Sequence, residues 1–156
     1  MQSRADHDPV WSLPFVPSAP LVGGEPGFEA FDEATCLRLL EVGGVGRVGL
    51  SVGSLPVIYP VTFVLADRTI VFPSEPGDKT KAAAKGSVAC LQVDQFDPSG
   101  RAGWSILATG RLSLAEPDRA ADYERLPTRA WSLAGPAHWI EMPIELLSGC
   151  SVPHAW

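Results

Sequence analysis

Short runs of Val, Ile, Leu, Phe and Tyr, each ended by a turn signal, occupy residues 46–93 and constrain the fold more than any other part of the chain. Such runs, bounded by Gly, Pro, Asp and Ser, are typical of β-strands joined by tight turns. Gly53-Ser54 has the length of a two-residue hairpin loop, and Ala66-Asp67-Arg68 forms the next turn signal. The predicted strands cover residues 47–52, 55–65, 69–74 and 87–96.

A short cationic segment lies between the third and fourth of these strands. Pro76-Gly77-Asp78 leads into residues 79–85, KTKAAAK, whose Ala and Lys content predicts one or two turns of helix. A phosphate binds the N–H groups at a helix start together with a hydroxyl and a compact ammonium. We therefore expect a phosphate site here. The alternative is that Lys79, Lys81 and Lys85 form a solvated helix face.

The predicted strand 55–65 is apolar on both faces, which is typical of a strand in a closed or nearly closed barrel. Pro60 cannot donate a ladder hydrogen bond, so the strand is interrupted there or lies locally at an edge. An interruption leaves backbone groups of residues 60–63 free to bind a planar, polar-edged molecule. A simple bulge is the alternative.

The flanking regions add an arm, helices and further strands. Residues 1–28 are rich in Pro and Gly and are predicted to be an extended arm, either docked or disordered, ahead of one domain at 29–156. A helix begins at Asp32 and ends at Gly43-Gly44. The remaining predicted elements are a strand at 103–114 with a bulge or bend at Gly110, a helix at 118–126 that begins with Pro117, and a short helix and strand within 140–150.

Composition and charge exclude several classes of protein. Twelve Lys and Arg against eighteen Asp and Glu give a net charge of −6, which leaves no basic face for nucleic acid. No apolar run approaches the roughly 18–20 residues of a membrane span, and the N-terminus lacks the apolar core of a signal peptide. Three widely spaced cysteines predict free thiols and a cytoplasmic protein. The order of elements, without regular βα alternation, predicts a mainly β fold with peripheral α-helices.

Three segments together resemble one known family. PVIYPVTFVL, TIVFPSEPGDKTKAAAKGSVACLQVDQF and GWSILATGRL are similar to the pyridoxamine 5′-phosphate oxidase-like, FMN-binding split-barrel proteins, in particular their short actinobacterial branch. The resemblance covers residues 31–149. It implies a six-stranded antiparallel split β-barrel that forms a homodimer, with two flavin sites at the subunit interface.

The same resemblance implies which residues hold the cofactor. Backbone groups of one strand would lie along the isoalloxazine ring, and a second set would bind the phosphate. The ring set is Pro60, Val61, Thr62 and Phe63, and the phosphate set is Ser74, Lys79, Thr80 and Lys81. Trp104 is a further candidate cofactor contact, with packing in the core or the dimer interface as the alternative.

Departures from the family pattern weaken parts of this assignment. Thr62 stands where many relatives carry Asn, and Pro73 removes a possible backbone donor near the ribityl chain. No counterparts of the His and Arg residues that hold pyridoxal phosphate are present, so vitamin B6 oxidation is not predicted. His138 is interpreted as a hydrogen-bonded structural residue. Cys36 is interpreted as a packed small hydrophobe, because no nearby His activates it.

Three functional hypotheses follow. The first is an FMN-binding oxidoreductase that transfers a hydride to or from a small organic substrate, which fits the lack of an evident general base. The second replaces FMN with a deazaflavin coenzyme. The third is a module that binds a flavin, haem or tetrapyrrole without turnover. Lys79 within GDKTK favours the first two, whereas Thr62 and Pro73 favour the third.

Overall fold

A computed structural model describes residues 29–99, 102–126 and 138–152. These residues form nine strands and three short helices. The strands are β1 (Glu29–Ala30), β2 (Gly44–Val52), β3 (Leu55–Ala66), β4 (Thr69–Ser74), β5 (Val88–Phe96), β6 (Gly103–Arg111), β7 (Ser113–Leu114), β8 (His138–Pro143) and β9 (Leu146–Val152). The helices are α1 (Glu33–Glu41), α2 (Asp78–Ala84) and α3 (Pro117–Tyr123). The predicted arm at 1–28 lies outside the described residues.

The strands form one antiparallel sheet in the order β1-β9-β6-β5-β2-β3-β4-β8-β7. The sheet curls so that the end of β6 meets the end of β8, where the backbone of Gly110 packs against the Pro143 carbonyl. This is the mainly β, antiparallel split barrel that the sequence predicts. The described chain has nine strands rather than six, because β1 and β7 are two-residue strands and the C-terminal segment contributes an additional strand.

Alternating residues of the central strands fill the interior of the barrel. Each large apolar side chain that becomes fully buried contributes about 1.5–3 kcal/mol to the stability. α1 adds Cys36, Leu39 and Leu40 to the same core. As predicted, α1 begins after Asp32, whose carboxylate accepts a 2.8 Å hydrogen bond from the Thr35 N–H. The fully buried large side chains include Phe63, Phe72, Ile70, Leu91, Ile106 and Ile140.

The structure decides two of the open alternatives on the strands. β3 runs without interruption or bulge through Pro60, which pairs in register with Arg47 of β2. Pro60 therefore lies at a strand edge, as the second of the two predictions for this residue has it, and the strand is not interrupted there. Gly110 also forms no bulge, because the register between β5 and β6 continues through it. The break between β6 and β7 comes at Leu112. Gly110 is needed for the close approach to Pro143, where a Cβ atom would meet backbone.

The prediction of a short helix within residues 140–150 is wrong. Two strands, β8 and β9, occupy this segment, and Pro143 ends the first of them. The run Trp139–Met142 is too short for its periodicity to distinguish a buried strand from a buried helix. The predicted free thiols are confirmed, with Cys36 buried and Cys90 and Cys150 half-buried.

A buried carboxylate attaches α3 to β8. Glu141 is 6% exposed and accepts a 2.6 Å hydrogen bond from the Tyr123 hydroxyl. Arg119 lies 2.9 Å from the same oxygen, so the carboxylate is both paired and hydrogen-bonded. Burial, followed by the hydrogen bond to Glu141, raises the pKa of Tyr123. Tyr123 also packs against Trp139 with ring centroids 5.8 Å apart.

Candidate functional site

The sheet splits between β3 and β4. These strands pair only at Val64↔Val71, Leu65↔Ile70 and Ala66↔Thr69, next to their connecting turn. Continued register would place Ser74 opposite Val61, but no pairing exists there. We call the opening the β3–β4 gap, bordered by Tyr59–Phe63, Ser74 and the first turn of α2.

One edge of β3 is open along this gap. Among the described residues, those from 55 to 63 pair with β2 on one side and with no strand on the other. Pro60 has no N–H, so its pair with Arg47 is of the non-hydrogen-bonded kind, and the peptide groups of Pro60 and Thr62 face away from β2. The Pro60 carbonyl and the Thr62 N–H are therefore presented to the gap.

The side chains on β3 divide between the core and the outside. Val61 and Phe63 are 5% and 1% exposed and belong to the core, and their peptide groups face β2, so these two residues offer no group to a ligand in the gap. Pro60 is exposed and Thr62 is half-buried. The ring-binding role implied for residues 60–63 therefore depends on the backbone groups of Pro60 and Thr62.

Lys79 lies where α2 meets β3. Its ammonium stands 4.6 Å from the centroid of the Tyr59 ring. The Tyr59 hydroxyl donates a 2.8 Å hydrogen bond to Asp78, and this bond raises the pKa of Tyr59, so the phenol remains a donor. Within the described part of the chain Lys79 makes no ion pair. The half-buried ammonium is therefore available to an anion.

The two predicted hydroxyl ligands are engaged in local hydrogen bonds. Ser74 is 3% exposed, and its hydroxyl donates to the Glu75 carbonyl at 2.9 Å. The Thr80 hydroxyl donates to the Gly77 carbonyl and accepts from the Gly77 N–H, both at 2.9 Å. Thr80 thus fixes the start of α2, and a phosphate would have to displace these bonds. Lys81 is exposed on the same helix.

Trp104 lies apart from the other predicted site residues. It is 6% exposed, belongs to the main core, and pairs in register with Gln95 and Ser151. It lines a cleft of about 200 Å³ whose other lining residues are Leu39, Val42, Gly43, Val45, Val93, Asp94 and Gln95. Within one chain, Trp104 therefore packs in the core, which is one of the alternatives to a cofactor contact.

Sequence reasoning missed Tyr59 and Asp78. They are nineteen residues apart and meet only because the β3–β4 hairpin returns the chain to α2. The available signal was a tyrosine at an inward-facing position of an apolar strand, since a buried tyrosine usually needs a hydrogen-bond partner.

His138 lies near the same opening, at the first residue of β8, where it pairs in register with Ser74. It is exposed, and its side chain makes no hydrogen bond to a described residue, so the structural bond expected for it is not observed. In the described ranges no group of three or more His, Cys, Asp or Glu side chains is placed to hold a metal ion. None of the helices described is long and apolar enough to cross a membrane.

A curled antiparallel sheet with this split defines the class of split-barrel proteins. The family model described as pyridoxamine 5′-phosphate oxidase matches residues 32–151, which is most of the chain. The chain belongs to this family.

The chain is also similar to individual known proteins. An uncharacterized protein of Mycobacterium tuberculosis is 31% identical over 101 residues, which cover 61% of this chain and 66% of that protein, so the chain spans about two thirds of this relative. The structure of an FAD binding protein from Mycobacterium smegmatis has a TM-score of 0.65 and 23% identity, covering 79% of this chain and 97% of that one. An FAD and heme binding protein from the same species has a TM-score of 0.64 and 17% identity, with 81% and 74% coverage.

Proposed function

We propose that the protein binds a flavin in the β3–β4 gap and acts as a flavin-dependent oxidoreductase on a small organic molecule. The observation that carries this proposal is the Lys79 ammonium, which has no ion pair among the described residues and lies beside an open strand edge. A phosphate supplies the missing negative charge, and a flavin ring supplies donors and acceptors for the Pro60 carbonyl and the Thr62 N–H. The described similarity to FAD-binding proteins agrees with a flavin.

The bound flavin would supply hydride transfer, which the residues of the gap do not supply themselves. The chain's own contribution is to hold the phosphate with Lys79 and the ring edge with the backbone of β3. Val61 and Phe63 keep that backbone fixed because their side chains are packed in the core.

FMN is the flavin we propose. FAD is a second form, favoured by the FAD-binding relatives, and it presents a phosphate at the same distance from the ring. The deazaflavin coenzyme remains the alternative within the same reaction class.

A binding module without turnover is the second candidate function. The hydroxyls of Ser74 and Thr80 are both engaged locally, which reduces the number of phosphate donors to the lysines. One relative binds both FAD and heme. Binding of haem without flavin would support this candidate.

We also propose that the protein is a cytoplasmic homodimer. The face of the sheet opposite the core carries exposed apolar side chains on adjacent strands. The register places Ile58, Gly49, Cys90, Thr109 and Leu146 in one row across five strands, and Ile58 and Leu146 are each 70% exposed. Burial of this row against a second copy would remove apolar surface from water.

The dimer is tested by measuring the molar mass in solution by light scattering after gel filtration. We expect the wild type to elute as a dimer and Ile58→Glu to elute as a monomer, because a charge in place of this apolar side chain is costly to bury in an interface. Asp118→Lys, an exposed charge change on α3, away from this row, is the control and should remain dimeric. A monomeric wild type at tens of micromolar would refute the proposal.

The flavin proposal is tested by absorbance spectra of the purified protein and by titration with FMN, FAD and the deazaflavin coenzyme. Lys79→Ala should weaken FMN binding by about 10–100-fold, the worth of one hydrogen bond to a charged group. Lys85→Ala removes the same charge from the exposed far end of α2 and should stay within about twofold of wild type. A protein that takes up no flavin of any kind would overturn the proposal. Equal effects of the two substitutions would show that Lys79 does not bind the phosphate.

A further inference from the structure

One side chain of the gap contacts two opposite charges that are neighbours in the chain. The Tyr59 hydroxyl donates to the Asp78 carboxylate at 2.8 Å, and the Tyr59 ring lies 4.6 Å from the Lys79 ammonium. All three side chains are half-buried. The carboxylate is thus turned towards the hydroxyl, although a cation is available one residue away.

We propose that Tyr59 is a positioning residue that keeps the Lys79 ammonium available to an anion, by holding Asp78 with its hydroxyl and the ammonium with its ring. The inference rests on the proposed function for the identity of that anion, the phosphate of a flavin. The role assigned to Tyr59 is to position Lys79.

Two physical effects support this role. A cation over an aromatic face is attracted by the ring quadrupole, so the long Lys79 side chain is held in one place without losing its charge. A carboxylate released from Tyr59 would be free to approach Lys79 and would also face Lys81, three residues further along α2. The released carboxylate would then compete with the ligand phosphate for both ammonium groups.

Two substitutions distinguish the contribution of the Tyr59 hydroxyl from that of its ring. Tyr59→Phe keeps the ring under Lys79 and removes the bond to Asp78, whereas Tyr59→Leu removes both contacts. Adding Asp78→Asn to Tyr59→Phe removes the competing carboxylate while keeping a residue of the same shape. FMN and riboflavin are the matched ligands, because they share the ring and differ in the phosphate.

We expect Tyr59→Phe to weaken FMN binding by about 3–5-fold and Tyr59→Leu by about tenfold, with riboflavin affinity within about twofold throughout. The double variant Tyr59→Phe, Asp78→Asn should recover FMN affinity to within about twofold of wild type. A purely structural Tyr59 would lower the affinities for both flavins alike, and Asp78→Asn would not restore them. Either of those results overturns the inference.

If the wild type binds neither flavin, the proposed function is refuted but the role of Tyr59 is not yet tested. A second measurement then tests that role. The probe is then inorganic pyrophosphate, followed by the NMR signals of the Lys79 ε-methylene protons, which the Tyr59 ring current shifts. The inference requires wild type to bind pyrophosphate, Tyr59→Phe to bind it about 3–5-fold more weakly, and the double variant to recover. No pyrophosphate binding, or equal affinity in all three proteins, overturns it.

Discussion

Closure of the barrel at Gly110 gives a prediction whose size follows from geometry. A Cβ atom built on Gly110 would lie far inside contact distance of the Pro143 carbonyl oxygen, and 3.2 Å from the Pro143 carbonyl carbon. Both obstacles are backbone atoms of β8, so rotation of a side chain does not relieve the contact. Gly110→Ala therefore forces β6 and β8 apart at the point where the two ends of the sheet meet.

The expected cost is that of overpacking, about 1–3 kcal/mol, at the upper end because backbone must move. Replacing glycine in a strand interior recovers roughly 0.5–1 kcal/mol of chain entropy, which leaves a net loss of about 2 kcal/mol. Gly49→Ala is the matched control. Its Cβ would lie 2.9 Å from the Cys90 sulfur, an atom that can turn away, so we expect a change within about 0.5 kcal/mol.

The assay is thermal and urea unfolding followed by circular dichroism, at one protein concentration because association raises the midpoint. For a chain of this length about 2 kcal/mol lowers the melting temperature by about 4–8 °C. The slope of the unfolding free energy against urea concentration should be the same in both variants. The shift in the unfolding midpoint then reports a change in stability. If Gly110→Ala unfolds within about 1 °C of Gly49→Ala, the sheet does not close through this contact.

Two further predictions concern buried ionisable groups. Glu141→Ala removes the acceptor of the Tyr123 hydroxyl and the ion pair of Arg119, and should cost about 1–3 kcal/mol in urea unfolding. Asp122→Ala, in an exposed pair, should change stability by less than about 0.5 kcal/mol, and equal effects of the two substitutions would contradict the buried contact. Burial raises the pKa of Cys36 to about 11 from 9.0, so its neutral thiol stabilises the fold fully below pH 9 and this contribution is lost as the pH rises through 11. The difference in unfolding free energy between wild type and Cys36→Ala should therefore shrink by about 2–3 kcal/mol over that range, and a constant difference would contradict it.

The sequence predicted those parts of the fold that local signals define. The turn at Gly53-Ser54 and the capping residue Asp32 act on neighbouring residues, and both predictions are confirmed. Within residues 140–150 the predicted strand is confirmed as β9, but the predicted helix is wrong. Its short apolar run carries no period, and pairing with β4 decides that it is a strand. Tertiary pairing, which no single segment encodes, overrode the local pattern.

The site could be predicted only in part for the same reason. Lys79 can be proposed from the sequence because the GDKTK motif surrounds it, whereas Tyr59 and Asp78 become partners only when two distant segments meet. Thr80 is predicted to bind phosphate, and in the structure its hydroxyl is hydrogen-bonded to the backbone of Gly77. A short polar side chain at a helix start hydrogen-bonds to the helix backbone unless a ligand forms a stronger interaction with it. The sequence alone does not show which of these two interactions is stronger.

The open edge of β3 also bears on how the protein avoids self-association by strand addition. An unpaired edge normally offers N–H groups to the edge of another molecule, which is a route to aggregation. Pro56 and Pro60 are four residues apart in β3, so both present their nitrogen atoms on the open side, where neither can donate. The edge therefore retains carbonyl acceptors for a small ligand while refusing a complete ladder to a second strand. Replacing both prolines would restore two N–H donors and allow a strand of another molecule to pair with this edge.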